Sequence, residues 1–394
     1  MDFAAMAADL NDYIVSSRRC LHRSAELSME EHKTTAFLVS ELKKMGIPVI
    51  TFSDYTGCIA VIKGGSAGKT VLLRADIDAL PIKEATGLSY ASENDGVMHA
   101  CGHDCHAAML LGAARMLWEA KKELPGTVKL LFQAGEEVFI GSRYYWDRGY
   151  LSDVDAAFGM HLSTALPSGK IAVLDGYVMA SCDNFTLEVI GRSSHGSTPQ
   201  FSSDAITAAS AIIVNLQSVA SRFNDPLEPL VVTVGKVNAG TQFNIIAGTA
   251  VMEGTVRAFS PASRGLAESA IGRVAADTAA AYGCETKLDY RRLEPCLRNA
   301  DAKLNDIARN AAVKMYGGDV LARASKMMGS EDFSYITEHI PSSLFAFLGC
   351  FDEEKGCVYP IHNGKFVVNE DILQIGAAEY AQFAADYLAH CARG

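Results

Sequence analysis

The sequence predicts an α/β fold: a mostly parallel sheet with helices on its faces, interrupted by an inserted α+β unit. Three observations carry this reading. Near-continuous apolar strands alternate with helical patterns over the first 160 residues, the mark of strands buried on both faces. From about residue 180 the order changes to β-α-β-β-α-β, the split ferredoxin-like unit. After residue 293 helix and strand alternate again. A chain of 394 residues also exceeds one ordinary core, so two domains are expected. The expected division is 1–180 and 294–394 for the first domain and 181–293 for the insert.

Residues 5–24 and 30–45 have helical spacing, with Gly46 ending the second helix. Ile59–Lys63 and Thr70–Asp76 read as strands, the latter through Val71-Leu72-Leu73. An apolar helical run follows at Ala107–Trp118, with Asp104 placed as its N-cap. Thr127–Gln133 and Asp155–His161 are the next strands. In the insert, Phe185–Gly191, Leu230–Val237, Ala250–Phe259 and Glu285–Arg292 read as strands, and Asp204–Phe223 and Ala262–Tyr282 as helices. The last part holds a helix (Lys303–Tyr316), a loop at Gly329–Asp332, a strand (Ser343–Leu348), a loop containing His362, and a final helix (Glu370–Ala389).

Composition excludes several classes. The net charge of −11 disfavours nucleic acid or an anionic membrane as partner. No run approaches a membrane span, and Met1-Asp2-Phe3-Ala4 lacks the basic start of a signal peptide. The ten cysteines lack the paired spacing of a disulfide scaffold, so a cytoplasmic setting is expected.

The chemistry concentrates at residues 99–106, His-Ala-Cys-Gly-His-Asp-Cys-His. Thiolate and imidazole are ligands that zinc prefers, and this cluster stands where a loop enters a helix. Glu136-Glu137 follows a buried strand and a Gln-Ala-Gly turn. Beside a metal the two carboxylates can divide roles, one ligating and one taking a proton from water. His161 ends a strand as well. In open α/β sheets ligands gather beyond the carboxyl ends of the strands, so these separate positions are expected to converge. His362, in Tyr-Pro-Ile-His-Asn-Gly, is weak on its own.

With these motifs in view, the chain resembles the metal-dependent aminoacylase and carboxypeptidase family. Within it the amidohydrolase branch, with its hippurate hydrolases, auxin-conjugate hydrolases and bacterial N-acyl-amino-acid deacylases, is the nearest match. The matching stretches run from Arg18–His22 and Glu30-Glu31-His32 through Arg74–Pro81, His99–His106, Gln133–Glu137 and Gly159–His161. They continue through Ser194-His195-Gly196, Asn244–Ile246, Gly254–Arg257 and Gly329–Phe333. The resemblance implies a zinc-peptidase-like catalytic domain in which Cys101, His103, Glu137, His161 and His362 hold two divalent metal ions (zinc, manganese, nickel or cobalt). It makes Glu136 the general base and later general acid, and Asp76 a residue that orients the metal site.

The insert, 181–293, is then a lid and dimerisation domain of a homodimer. His195 would reach the partner subunit's site to steady the oxyanion, with Asn244 nearby. Arg257 would grip a substrate carboxylate. A polar-turn histidine and a surface-strand arginine are the plainer readings of His195 and Arg257. The activity implied is hydrolysis of an N-acyl amino acid to a carboxylic acid and an amino acid. A dipeptidase or carboxypeptidase on the same scaffold is the alternative, and a non-catalytic metal-binding or ligand-binding protein is the reading from another class. The chain departs from the family's pattern at Val138-Phe139-Ile140-Gly141-Ser142, where relatives carry a run of glycines, at Cys105 and at His362-Asn363-Gly364.

Overall fold

The computed structural model describes residues 1–393, which divide into two compact units. The first comprises Met1–Val178, Arg298–Lys326 and Tyr335 onward, and the second Met179–Leu297 and Met327–Ser334.

The first unit begins with α1 (Phe3–Asp9), α2 (Asn11–Arg23) and α3 (His32–Lys44). The single helix expected over 5–24 is broken at Leu10, which leaves helical geometry at φ −94°, ψ 2°. The short polar side chains of Asp9 and Asn11 flank the break and compete with helical hydrogen bonding. Next come β1 (Val49–Thr51), β2 (Cys58–Lys63), β3 (Ser66–Asp76), α4 (His103–Ala120), β4 (Pro125–Gln133), α5 (Gly141–Asp147), β5 (Ala156–Pro167) and β6 (Ile171–Val173). The seven-stranded sheet has the order β1-β2-β4-β3-β5-β15-β6, where β15 is Ser343–Phe351. Its central strands β4, β3, β5 and β15 run parallel. Antiparallel strands finish both edges. Val71 to Asp76 of β3 are all buried, as a strand covered on both faces requires.

Helix α4 is buried along most of its length and packs against α2 and the C-terminal helix α10 (Leu373–Arg393). Glycines allow the close approach. A Cβ on Gly112 would stand 2.8 Å from Ile14 Cδ1 and 3.1 Å from Ala377 Cβ, and one on Gly376 would collide with Met109 Sδ. This packing fixes the helix whose first turn carries the site.

Short strands β7 (Gly176–Met179) and β14 (Leu297–Asn299) stand where the chain passes between units. The second unit contains β8 (Cys182–Ile190), β9 (Ser194–His195), α6 (Ala205–Ser218), β10 (Leu230–Ala239), β11 (Ile245–Ile246), β12 (Thr249–Ala258), α7 (Pro261–Ala281) and β13 (Glu285–Glu294). Its antiparallel sheet has the order β10-β12-β8-β13, the ferredoxin-like arrangement. A separate core built on Phe185, Leu187, Ile212, Met252 and Ile271 joins this sheet to α6 and α7. Residues 327–334 belong to this unit although they lie outside 181–293, because Ala180 N–H bonds to Met327 O (3.2 Å) and Gly329 O (2.9 Å). The chain then closes the first unit through α8 (Ala302–Tyr316), α9 (Phe333–His339), β15 and α10. No described helix is long and apolar enough to cross a membrane. All ten cysteines are free.

Candidate metal centre and its carboxylates

Five segments deliver the site, three of them at or after the carboxyl ends of the parallel strands β3, β4 and β15. Strand β3 ends at Asp76, with Asp78 two residues on. Glu136 and Glu137 follow β4, and His161 lies within β5. Helix α4 opens with His103 and places His106 one turn later, while Cys101 stands just before it. The loop after β15 brings His362, whose backbone is left-handed at φ 60°.

The expected ligands converge. Cys101 Sγ is 3.4 Å from His161 Nε2 and 3.3 Å from His362 Nε2. Glu137 Oε1 is 3.4 Å from His362 Nε2 and 3.9 Å from His103 Nε2. Such separations suit atoms sharing a metal with bonds of ~2.0–2.3 Å. Glu136 is buried and lies with His103 and Glu137 in one group of possible ligand atoms.

Hydrogen bonds fix the rings. His103 Nδ1 meets Asp78 Oδ1 at 3.0 Å. His161 Nδ1 donates to Leu162 O at 2.7 Å, which leaves Nε2 towards Cys101. Asp76, expected to orient the centre, bonds to His106 and Arg74. Its Oδ1 meets His106 Nδ1 at 2.6 Å, its Oδ2 takes Arg74 Nη1 at 2.7 Å, and it stands 3.8 Å from His103 Nε2. His106 Nε2 in turn accepts the Leu162 N–H at 2.9 Å. Asp78 and His106 stood within the motifs the sequence singled out but were given no role there. Their signals were the Asp-Ile-Asp repeat at a strand end and the i, i+3 spacing from His103 on one helix face.

Asp104 is not the N-cap expected of it. Helix α4 starts at His103 behind Gly102, which adopts φ 92°, and Asp104 falls inside the first turn. Its buried carboxylate instead takes Arg18 Nε at 2.7 Å and His22 Nδ1 at 2.8 Å. Burial opposes its charge, but Arg18 and His22 outweigh burial and hold its pKa well below the carboxylate range.

The same balance sets the histidines. Burial works against the His103 imidazolium, yet Asp76, Cys101 and Asp78 hold its pKa well above the ordinary value. Burial, with His106 adding to it, keeps His161 far below. The neighbouring Cys101 and Glu137 side chains push His362 up to about 10.

The residues fit a metal. The buried atoms His103 Nε2 and Glu137 Oε1 make no hydrogen bond, and both belong to the convergent group. Buried polar atoms are rarely left so without an ion or water to satisfy them. A thiolate, imidazoles and a carboxylate form a donor set suited to zinc and its neighbours.

The second unit holds His195, Asn244 and Arg257. His195 is exposed, with Nδ1 2.7 Å from Ser197 Oγ. It pairs with Ile245 in a two-stranded ladder, and Gly196 N–H donates to Asn244 O at 2.7 Å, so His195 and Asn244 are neighbours. Arg257, on β12, donates from Nη1 to Ser330 Oγ at 3.0 Å.

The model of Peptidase family M20/M25/M40 matches residues 72–386. The chain belongs to this family. By family it is a metal-dependent hydrolase of the amidohydrolase and peptidase type, acting on amide bonds. The N-acetyl-L-cysteine deacetylase of Bacillus subtilis (strain 168) is 41% identical over 340 residues, covering 86% of this chain and 81% of the relative. The IAA-amino acid hydrolase ILR1-like 2 of Arabidopsis thaliana is 38% identical over 389 residues, covering 98% and 87%. Among solved structures, the YXEP protein of Bacillus subtilis, described as a dinuclear metal-binding peptidase, superposes with a TM-score of 0.85 at 35% identity, covering 97% of this chain and 99% of that one.

Proposed function

We propose that this protein is a dinuclear metal-dependent amidohydrolase that cleaves N-acyl amino acids to a carboxylic acid and an amino acid. The observation that carries the reading is the convergence of Cys101, His103, Glu137, His161 and His362 beside the buried Glu136. These five residues are the proposed ligands of two divalent ions. Bound there, the metals supply Lewis acidity and lower the pKa of water to about 7. Glu136 takes a proton from the attacking water and hands it to the leaving amine. Asp78 and the Leu162 carbonyl keep the His103 and His161 rings in the ligating orientation.

His195, with Asn244 beside it, steadies the oxyanion from the neighbouring subunit of a homodimer formed through residues 181–293. Large exposed apolar side chains on that unit, including Phe243, Leu227, Val214 and Phe201, support an interface there. Arg257 takes the substrate's free carboxylate, for which its guanidinium is a matched fork.

The acyl group is the apolar end of the substrate. Val138, Phe139 and Ile140 follow Glu137 directly, and Val138 and Ile140 are exposed, so apolar side chains stand directly after the two carboxylates of the site.

The test is amine release from N-acetyl, N-benzoyl and indoleacyl amino acids and from dipeptides, with and without a chelator. Chelator-sensitive turnover of the acyl amino acids well above that of the dipeptides is the expected result. Turnover confined to dipeptides would favour a peptidase, and none on any substrate a binding protein.

A further inference from the structure

Glu31 is a buried carboxylate that the proposed chemistry does not use. It occupies the N-cap position of α3, yet its side chain makes no capping hydrogen bond. Glu26 does that work, accepting from Lys33 N–H (3.1 Å) and Thr34 N–H (2.9 Å). The Glu31 side chain turns inward instead and is fully buried. Oε1 accepts the N–H of Gly135 at 3.0 Å, 104 residues away in sequence, and Oε2 accepts the hydroxyl of Thr56.

Gly135 immediately precedes Glu136. On the other side, the N–H of Glu137 donates to Asp78 Oδ2 at 3.0 Å, and Ser28 Oγ donates to the same oxygen at 2.7 Å. The peptide N–H groups flanking Glu136 are thus each held by a buried carboxylate. The segment 28–31 braces this turn by packing as well. Gly135 adopts φ 71°, and a Cβ there would stand 3.0 Å from Met29 Sδ and 3.2 Å from Tyr55 Oη. Met29 is itself left-handed at φ 70°. Strained backbone persists only where the surrounding structure over-determines it, and here the strained Met29 packs against the turn that presents Glu136.

We propose that Glu31 is a positioning residue for Glu136: by holding the Gly135 peptide it sets the height and direction from which the Glu136 carboxylate meets the reacting atoms. The inference rests on the assignment of Glu136 as proton carrier. A proton carrier must stand within ~2.6–3.2 Å of the atom it serves, and a misplacement of about 1 Å can cost 10²-fold in rate.

The experiment compares Glu31→Ala, Glu31→Gln, Glu31→Asp and Thr56→Val with wild type and with Glu136→Gln, in the metal-loaded enzyme. Glu31→Ala should lower kcat by roughly 10–100-fold with KM within about threefold and metal content unchanged. Glu31→Gln keeps an oxygen for Gly135 and should recover most of kcat. Glu31→Asp keeps the charge but withdraws it by one methylene. It should lose kcat like the alanine variant, and it carries the test if that variant does not fold. Thr56→Val breaks the carboxylate's other hydrogen bond and should leave kcat within about threefold whatever it does to Tm.

Amide hydrogen exchange over residues 133–137 gives a readout independent of turnover. Protection of Gly135 should fall in Glu31→Ala and Glu31→Asp but not in Thr56→Val. Wild-type kcat in both Glu31→Ala and Glu31→Asp overturns the proposal. So does a loss of kcat that merely follows Tm across all four variants. Near-normal turnover in Glu136→Gln would instead remove the proton-carrier assignment itself and the positioning role with it.

Discussion

Three residues other than glycine have positive φ among those described, Met29, Phe139 and His362, and all border the loops of the proposed metal centre. Met29 packs on Gly135, Phe139 follows Glu137 by two, and His362 completes the ring around Cys101. Such conformations cost about 1–3 kcal/mol each. They place the strain of the fold where side chains must be aimed rather than where packing alone decides. Arg257 donates to the uncharged hydroxyl of Ser330, and its proposed role is to take the substrate's carboxylate. Arg257→Ala should raise KM for acyl amino acids by roughly 10–100-fold, the worth of a charge-assisted bidentate contact, and leave amidated substrates as poor as before. Steady-state kinetics on matched acid and amide substrates decide it. Equal losses on both would make Arg257 a structural strand residue.

At this scale the sequence was most legible where ligands crowd together. The spacing of Cys101, His103 and the two glutamates needs only one helix mouth and one strand end to bring them close. Asp78 was harder to see than Asp76, because β3 stops at Asp76 and the strand alternation that would have separated the two roles stops with it. The bond from Glu31 to Gly135 spans 104 positions, and no local pattern announces a contact of that kind.

Among the elements, α4 and α10 determine how firmly the site is held. A buried polar network anchors the first turn of α4: Arg18 reaches Asp104, Tyr90 Oη (2.8 Å) and Glu370 (3.1 Å), and His22 bridges Asp104 to Glu84. The sequence showed the helix but misread its start, since Asp104 before an apolar run looks like a cap until Gly102 is seen to take the left-handed turn. The short helices α5 and α9, seven residues each, were assigned no element from the sequence, because two turns are too few for a clear apolar stripe. The long alternation of strands and helices survives such errors, since burial on both faces of a central strand imposes an apolar run that local signals do not obscure.

Helix α10 carries a cost of its own. Glu379 is fully buried with neither carboxylate oxygen hydrogen-bonded, and burial, with Asp386 adding to it, holds its pKa well above the ordinary value. Because the folded pKa is raised, the stability tied to this group is fully present below the unfolded value of about 4.3. It is lost progressively as pH rises from there towards the folded pKa. Glu379→Gln should therefore match wild type in Tm near pH 4 and exceed it at pH 8. A Tm difference that does not change with pH would contradict the account.

The chain divides into two units of unlike architecture, and the proposed chemistry draws on both. The proposed metal ligands and Glu136 belong to the α/β unit, and His195, Asn244 and Arg257 to the ferredoxin-like one. The proposal that His195 serves a neighbouring subunit makes a prediction that no single-chain reading shares. Mixing His195→Ala with Glu136→Gln, each inactive alone, should restore activity on subunit exchange. One site in each mixed dimer is then intact, which gives roughly a quarter of wild-type activity when half the dimers are mixed, given two-fold symmetry. No recovery with exchange confirmed would place His195 in its own subunit's chemistry or outside it.

The central claim, that five convergent side chains hold two metals while Glu136 moves the proton, is tested most directly by measuring metal content and turnover together in wild type and Glu136→Gln. The account predicts about two divalent ions per chain in both proteins, with turnover in the variant lower by at least the 10²–10⁴-fold that proton transfer contributes. Near-normal turnover in Glu136→Gln, or loss of the metals along with activity, would contradict it.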